Sequence, residues 1–264
     1  MLQTTISTAK KAGKFLLDNF RKDFSLIKNR SLAKEISTKY DKEADKIIIS
    51  EITKKFPAHG LLTEESGLIE NNKLSKSEYL WIIDSLDGTS NFSLGNPFFA
   101  VSIALMKKSK LVIGVVYAPF LDELYVAEKG KGATLNGREI HVSEITELKN
   151  SYLVSCEGGD KSNKRHAQVN YLFHPEIKDM RKLGSAALEA CFVASGRAEA
   201  YITFNISSWD VAASILIVEE SGGKATDFSG NKWKPVQSDV VISNGILHEK
   251  ILERINQIDI KTVN

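Results

Sequence analysis

Apolar positions recur at helical spacing from the start of the chain: Ile6, Ala9, Gly13, Leu16, Leu17 and Phe20 share one face, with Lys10, Lys11 and Lys14 between them. This spacing predicts an amphipathic helix. A second such pattern, Ala44, Ile47, Ile48, Ile52 and Phe56, predicts a helix over Thr38 to Phe56, ended by Pro57, with Asp41 near its start. Tyr79 to Ile83 has the length and the β-branched and aromatic content of a buried strand. From Phe98 to Ala127 the blocks FFAVSIALM, LVIGVVYA and ELYVAEK alternate with KKSK and PFLD, which reads as an antiparallel meander; Gly130, Gly132 and Gly137 then break the strand pattern. The remainder predicts a strand at Tyr152 to Cys156, a polar surface loop over Gly158 to His166, a helix at Ser185 to Ser195, and a strand at Glu199 to Phe204. After them come a helix from Asp210 to Glu220, short strands at Lys224 to Phe228 and Asp239 to Ser243, and a closing helix from His248 to Ile255. Mixed elements in two successive blocks point to a layered α/β protein, without an internal repeat or a low-complexity linker.

Chemistry concentrates where the apolar run Tyr79 to Ile83 gives way to Asp84 and Asp87 and then to Gly88, Thr89, Ser90 and Asn91. Gly88 permits close backbone approach to a ligand, and the three polar residues can open a helix whose free N–H groups suit an anion. Two carboxylates beside a phosphate cradle would repel the phosphate unless a divalent cation stood between them. The arrangement therefore implies Mg²⁺, which binds through a few carboxylates, waters and substrate phosphate. Three other readings compete. Asp84 and Asp87 could serve only as turn and capping residues. A Ca²⁺ loop of the EF-hand kind fails because Leu86 and Gly88 fill positions that need oxygen side chains. The DGT triplet also occurs in haloacid dehalogenase phosphatases, but their nucleophilic Asp would fall at Ser85, so that covalent route is closed.

Two further acidic clusters accompany this one. In GLLTEESG, residues 60–67, Glu64 and Glu65 follow an apolar stretch and precede a Ser-Gly turn; adjacent residues point different ways, so one of the two faces a metal. In SSWDVAASILIVEESGG, residues 207–223, Ser207 or Ser208 caps a helix with Val211, Ile215 and Val218 on its apolar face, which puts Asp210 in the first turn.

On these residues the sequence resembles the inositol monophosphatase family, a group of Mg²⁺-dependent, Li⁺-sensitive phosphomonoesterases. DSLDGTSNF is similar to its first signature and WDVAASILIVEESGG to its second, with GLLTEESG before the first and GSAALEACFVASGRAEAY between them. The resemblance covers nearly the whole chain and implies a five-layer αβαβα sandwich: a single domain, 1–264, with approximate halves 1–145 and 146–264. It also implies a metal site in which Glu64, Asp84 and the main-chain carbonyl of Leu86 hold one Mg²⁺, and Asp84, Asp87 and Asp210 a second. A third, weaker ion would lean on Glu64, and Mn²⁺ could replace Mg²⁺. Thr89, bonded to Asp41, would orient the attacking water together with Glu64. Asp87, the N–H groups of Gly88 and Thr89, Ser90, the segment Gly184, Ser185 and Ala186, and Asp210 would face the substrate, while Glu65 would support the ligands from behind. One departure stands in the first signature, where Ser85 replaces the family's Pro; it loosens the turn and removes no ligand.

Attack by water without a phosphoenzyme is expected, since no Ser-His or Cys-His pair is suggestively spaced and none of His59, His141, His166, His174 and His248 is assigned to catalysis. The expected substrate is a sugar or polyol phosphate, inositol 1-phosphate first and fructose 1,6-bisphosphate second. A Glu that often contacts an inositol hydroxyl in the family is Thr203 here, which argues for altered or broader selectivity. Arg181 and Arg197 are candidates for a second phosphate or for structural roles. Alternatives on the same fold are a 3′(2′),5′-bisphosphate nucleotidase, a histidinol-phosphate phosphatase and an NADP phosphatase. A catalytically silent phosphate-binding regulatory module is the alternative of a different class.

Composition narrows the setting. With 264 residues, 42% hydrophobic and 26% charged, the chain can bury a substantial core. Its 35 basic and 33 acidic residues give a formal charge of +2, too balanced for a nucleic-acid surface. Lys107, Lys108 and Lys110, or Lys161, Lys164 and Arg165, read as solvated loops. Cys156 and Cys191 lack metal-site spacing and sit in apolar runs, as small core residues in a reducing compartment. No apolar run reaches the ~18 residues needed to span a bilayer. The expectation is a cytoplasmic enzyme, a homodimer by the resemblance, acting on a small phosphorylated molecule.

Overall fold

The computed structural model describes residues 1–22, 30–69, 77–157 and 163–257. Two helices, α1 (Leu2–Asn19) and α2 (Arg30–Lys55), lead into a sheet of eight strands: β1 (Gly60–Thr63), β2 (Gly67–Ile69), β3 (Tyr79–Asp87), β4 (Ala100–Lys107), β5 (Lys110–Ala118), β6 (Glu123–Glu128), β7 (Ala133–Leu135) and β8 (Arg138–Glu139). Its spatial order is β2-β1-β3-β4-β5-β6-β7-β8. Every neighbouring pair is antiparallel except β1 and β3, which run parallel. A short helix, α3 (Thr89–Ser93), follows β3. The second sheet holds β9 (Tyr152–Glu157), β10 (Asp179–Arg181), β11 (Ala200–Phe204), β12 (Lys224–Thr226) and β13 (Val240–Ser243), in the order β10-β9-β11-β13-β12. Among the described residues four more α-helices follow: α4 (Asn163–Phe173), α5 (Ala186–Ala194), α6 (Ser208–Glu220) and α7 (His248–Ile255).

Period-two burial of the strands stacks these elements into five layers. Trp81, Ile83, Val101, Ile103 and Val115 pack against α1 and α2 through Ala9, Leu16, Ala44 and Ile48. The other face of the same strands, with Ile82, Ala104 and Val116, meets α5 and α6, which also receive Val154, Tyr201 and Ile242 from the second sheet. Leu153, Ile202, Phe204 and Val241 then point outward onto α4 and α7, through Val169, Phe173 and Ile251. The result is the expected αβαβα sandwich. Because α5 and α6 are covered on both sides, they are apolar around nearly their whole circumference, so the buried face of α6 is wider than the stripe of Val211, Ile215 and Val218 expected from the sequence.

Several boundaries differ from expectation. Helix α2 starts at Arg30 rather than Thr38, since no Gly or Pro interrupts the segment between, so Asp41 lies well inside the helix and not near its start. Strand β3 continues past Ile83 to Asp87, with a register shift against β4 between Asp84 and Asp87. The expected loop over Gly158 to His166 is helical from Asn163 onward; residues 158–162, with Lys161, lie outside the described residues. His166 is therefore not a surface-loop residue but a buried one, with Nδ1 2.9 Å from Ser155 Oγ, and His248, at the start of α7, is buried as well and bonds Thr226 Oγ1 at 2.8 Å and Ser243 Oγ at 2.7 Å. Both cysteines are free and buried, as expected. Among the described residues no helix is long and apolar enough to cross a membrane.

Candidate active site

Strand register brings the first two acidic clusters together. Thr63 of β1 pairs with Ile83 of β3 in parallel, so the next residues, Glu64 and Asp84, leave the same end of the sheet side by side, and the Glu64 N–H donates to the Ile83 carbonyl at 3.2 Å. In the opposite direction Asp84 pairs with Ser102 of β4, whose hydroxyl donates to the Trp209 carbonyl at 3.4 Å. That contact sets the first turn of α6, and hence Asp210, beside Asp84. Helix α6 can come this close to the sheet because β5 carries Gly114, where a Cβ would sit 2.4 Å from the Ala213 carbonyl oxygen.

Carboxylate oxygens of Glu64, Asp84 and Asp210 lie within 4.8 Å of one another. Asp84 is fully buried and its Oδ1 accepts the Leu86 N–H at 2.9 Å; Asp210 Oδ2 accepts the Ser207 N–H at 2.9 Å. Asp87 is held differently. The Ser185 hydroxyl donates to it, as do the N–H groups of Ala186 at 3.0 Å and Ala187 at 2.8 Å, so it faces the start of α5.

Gly88 has φ +90°, and a Cβ there would meet the Phe98 carbonyl oxygen at 2.9 Å. Its left-handed turn starts α3, where Thr89 Oγ1 lies 3.0 Å from the Leu86 carbonyl and 3.5 Å from Asp41 Oδ2. Ser85 has a use its place in the turn did not announce: its hydroxyl donates to Asp41 Oδ1 at 2.5 Å and approaches the Asp41 carbonyl at 3.1 Å.

The electrostatics are those of crowded anions. Burial first, then the Glu64, Asp87 and Asp210 charges, holds the Asp84 carboxyl well above the usual carboxylate range. Burial and the Asp210, Asp87 and Glu65 charges push Glu64 up to about 7. Asp210 also rises to about 7, from burial and the Asp87 charge. Asp41 reaches about 7, chiefly through burial, against the pull of the Ser85 hydroxyl. Asp87 stops at about 6, because the donors from Ser185 and the start of α5 offset part of its burial. A divalent cation relieves this repulsion, and hard carboxylate oxygens are the donors that Mg²⁺ prefers.

Beside the carboxylates opens a cavity of about 560 Å³ whose wall includes Asp87, Ser90, Gly184, Ala186 and Asp210. Asn96, Cys156, Lys182 and Ile206 line it as well. Thr203 does not; it is buried in β11 and its hydroxyl donates to the Cys156 carbonyl at 3.1 Å. Arg181 and Arg197 also lie outside the lining, paired with Asp179 at 2.5 Å and Glu123 at 2.8 Å.

Residues 1–259 match the inositol monophosphatase family. The chain belongs to that family. It is 36% identical over 258 residues to the fructose-1,6-bisphosphatase/inositol-1-monophosphatase of Thermotoga maritima, covering 97% of this chain and 96% of that one. It is 34% identical over 258 residues to the Nus factor SuhB of Pasteurella multocida, covering 97% and 95%. The inositol monophosphatase structure from Anabaena superposes with a TM-score of 0.85 at 33% identity, over 97% of this chain and 95% of that one. The protein is thus a phosphomonoesterase of the inositol monophosphatase family.

Two residues that organise this inositol monophosphatase site, Asp45 and Glu189, escape a reading of the sequence, and a third, Asn91, does more than open a helix. Asp45, one turn beyond Asp41 on α2, accepts from Thr63 Oγ1 at 3.1 Å and Ser66 Oγ at 2.6 Å, and so fixes the turn that carries Glu64 and Glu65. Asn91 donates its side-chain amide toward the Phe98, Leu183 and Gly184 carbonyls at 2.7, 2.8 and 3.1 Å, tying α3 to the loop before α5. Glu189, buried in α5, accepts the N–H groups of Leu183 at 2.5 Å and Gly184 at 3.0 Å. A lone charge in the apolar run AALEACFVA, and two acids four apart among Ala44 and Ile48, were the available signals.

Proposed function

We propose that the protein hydrolyses the phosphate monoester of a sugar or polyol, with inositol 1-phosphate as the leading substrate and fructose 1,6-bisphosphate as a second. The observation that carries the reading is the trio Glu64, Asp84 and Asp210, with oxygens within 4.8 Å, at the edge of a cavity that Asp210 also lines. Family members generally use divalent metal ions. In this reading Glu64, Asp84, the Leu86 carbonyl, Asp87 and Asp210 hold two Mg²⁺, with a third ion leaning on Glu64. Bound there, Mg²⁺ supplies charge neutralisation for the phosphoryl oxygens and lowers the pKa of a water.

The chain's own groups do the positioning. Thr89, between the Leu86 carbonyl and Asp41, has its hydroxyl oriented to hold the attacking water, and the elevated pKa of Asp41 suits it to accept a proton near neutral pH. The turn at Gly88 leaves its own N–H and that of Thr89 for the phosphate, with Ser90 at the cavity wall. Gly184 and Ala186 bound the side where the alcohol would sit, while Ser185 between them is buried and holds Asp87 rather than facing the substrate, and the Glu65 charge helps to raise the pKa values of Glu64 and Asp41. Thr203 in place of an acid, and Lys182 at the cavity wall, support a broader substrate range than inositol phosphate alone. Lithium sensitivity, a homodimer and a cytoplasmic location belong to the same reading, carried by family membership.

The test is phosphate release, with and without Mg²⁺, from inositol 1-phosphate, fructose 1,6-bisphosphate, 3′-phosphoadenosine 5′-phosphate, histidinol phosphate and NADP. Mg²⁺-dependent turnover highest on the first two is the expected result. A preference for the nucleotide, NADP or histidinol phosphate would replace the substrate assignment, and release independent of any divalent cation would overturn the metal assignment.

A further inference from the structure

A second cavity, of about 630 Å³, lies at the opposite end of α6 from Asp210. Its volume falls within the ~300–1,000 Å³ common for small-molecule sites. Met106, Leu111, Ile215, Trp233 and Val236 supply its apolar lining. The cavity sits where the β4–β5 hairpin loses regular pairing, at a register shift between Leu105 and Met106, followed by left-handed backbone at Lys108 and Ser109. Ile215 and Trp233 are almost wholly buried, while Val236 at the mouth is 90% exposed.

The polar groups of this cavity are lopsided in sign. Lys110, Lys129, Lys232 and Lys234 line it, against the single carboxylate of Glu219. Glu219 is already shared, at 3.5 Å from Lys129 and 3.5 Å from Lys232, and Lys129 also reaches Glu220 at 3.0 Å. Lys110 and Lys234 form no ion pair among the described residues. An apolar, partly aromatic floor beneath two uncommitted ammonium groups matches a ligand with an apolar body and an acidic end. None of these residues lines the cavity beside the carboxylate trio, so the two cavities are separate.

We propose that this cavity is a second small-molecule site, for a soluble organic anion that sets an aromatic or branched aliphatic body against Leu111, Ile215 and Trp233 and its acidic group between Lys110 and Lys234. Calorimetric titration of the full chain with naphthalene-2-sulfonate and with the neutral 2-naphthalenemethanol tests it. The expected result is one sulfonate bound per chain, at least tenfold tighter than the alcohol, with a change in tryptophan emission that Trp233→Phe removes while binding persists. The double variant Lys110→Glu/Lys234→Glu, altered only at exposed positions, should lose at least tenfold in sulfonate affinity and keep its Mg²⁺-dependent phosphatase rate. Inorganic phosphate should not displace the sulfonate. Equal affinity for sulfonate and alcohol, unchanged binding in the double variant, displacement by phosphate, or association with phosphatidylglycerol vesicles in place of the soluble anion would each overturn the proposal. Because binding is read directly, the outcome is independent of which phosphate ester the catalytic cavity hydrolyses.

Discussion

Asp84 is the residue on which the candidate site converges: it is buried, it shares its surroundings with Glu64 and Asp210, and the Leu86 N–H donates to it. Replacing it by Asn removes one charge from a crowded group without changing its size. Asp84→Asn should therefore lower turnover by about three orders of magnitude or more, while the metal-free protein melts no lower than wild type. Steady-state rates and thermal melts of the same preparation check both halves. His248 poses the reverse problem. Burial, with a smaller push from Lys224, depresses its pKa from 6.5 to about 4, so it stays neutral in the folded state. As pH falls from about 6.5 to 4 the unfolded chain takes up a proton that the native chain refuses, and stability is lost across that window. His248→Gln should flatten this acid limb by about 2–3 kcal/mol, read as the difference between the two proteins' unfolding free energies at pH 7 and pH 4.5. At this scale the sequence was readable where residues carried motif chemistry: Glu64, Asp84, Asp87 and Asp210. It was silent on Asp45 and on the partners of His248 and Asn91, which lie between 5 and 93 residues away where spacing does not reveal them. Ser85 lies between these cases. Its replacement of a proline was visible, but the hydrogen bond it gives Asp41 depends on how α2 lies against β3.

Elements position these residues through local backbone choices. The turn from β3 into α3 requires Gly88 twice over, for its positive φ and for the missing Cβ facing the Phe98 carbonyl. Gly88→Ala should cost roughly 2 kcal/mol or more, measured as a fall in unfolding free energy, and should lower activity beyond the loss of folded protein. A variant with native stability and rate would remove the turn from the account. The meander β4–β6 and the helices α1, α5, α6 and α7 could be located from periodicity, because each is long or strongly patterned. Strands β2, β7, β8 and β10 could not. Each has only two or three residues, too few for a period-two pattern to declare itself, and each is specified by the neighbour it pairs with. Parallel pairing of β1 with β3 was equally hidden, although it is what sets Glu64 beside Asp84.

Over the whole molecule, the carboxylate cluster makes the cation part of the stability balance. Asp41, Glu64 and Asp210 rise to about 7 and Asp87 to about 6 in the metal-free protein. Between about pH 4 and 7 the native chain therefore binds more protons than the unfolded one, and its stability falls as pH rises through that range. Metal-free protein should melt higher at pH 5.5 than at pH 7.5. Saturating Mg²⁺ at pH 7.5 should reverse the order, with about 2.7 kcal/mol gained at a hundredfold excess over the dissociation constant. Melts that do not move with pH or with Mg²⁺ would sink the cluster as a cation site. The bonds from Ser185, Ala186 and Ala187 to Asp87 add a consequence in time. They join residues 98 to 100 positions apart, and Asp210 comes later still. A nascent chain carries Glu64, Asp84 and Asp87 about a hundred residues before it reaches Ser185. Until α5 and α6 arrive, those acids have neither their anchor nor their third partner, so the growing polypeptide stays chemically inert until Asp210 has been added.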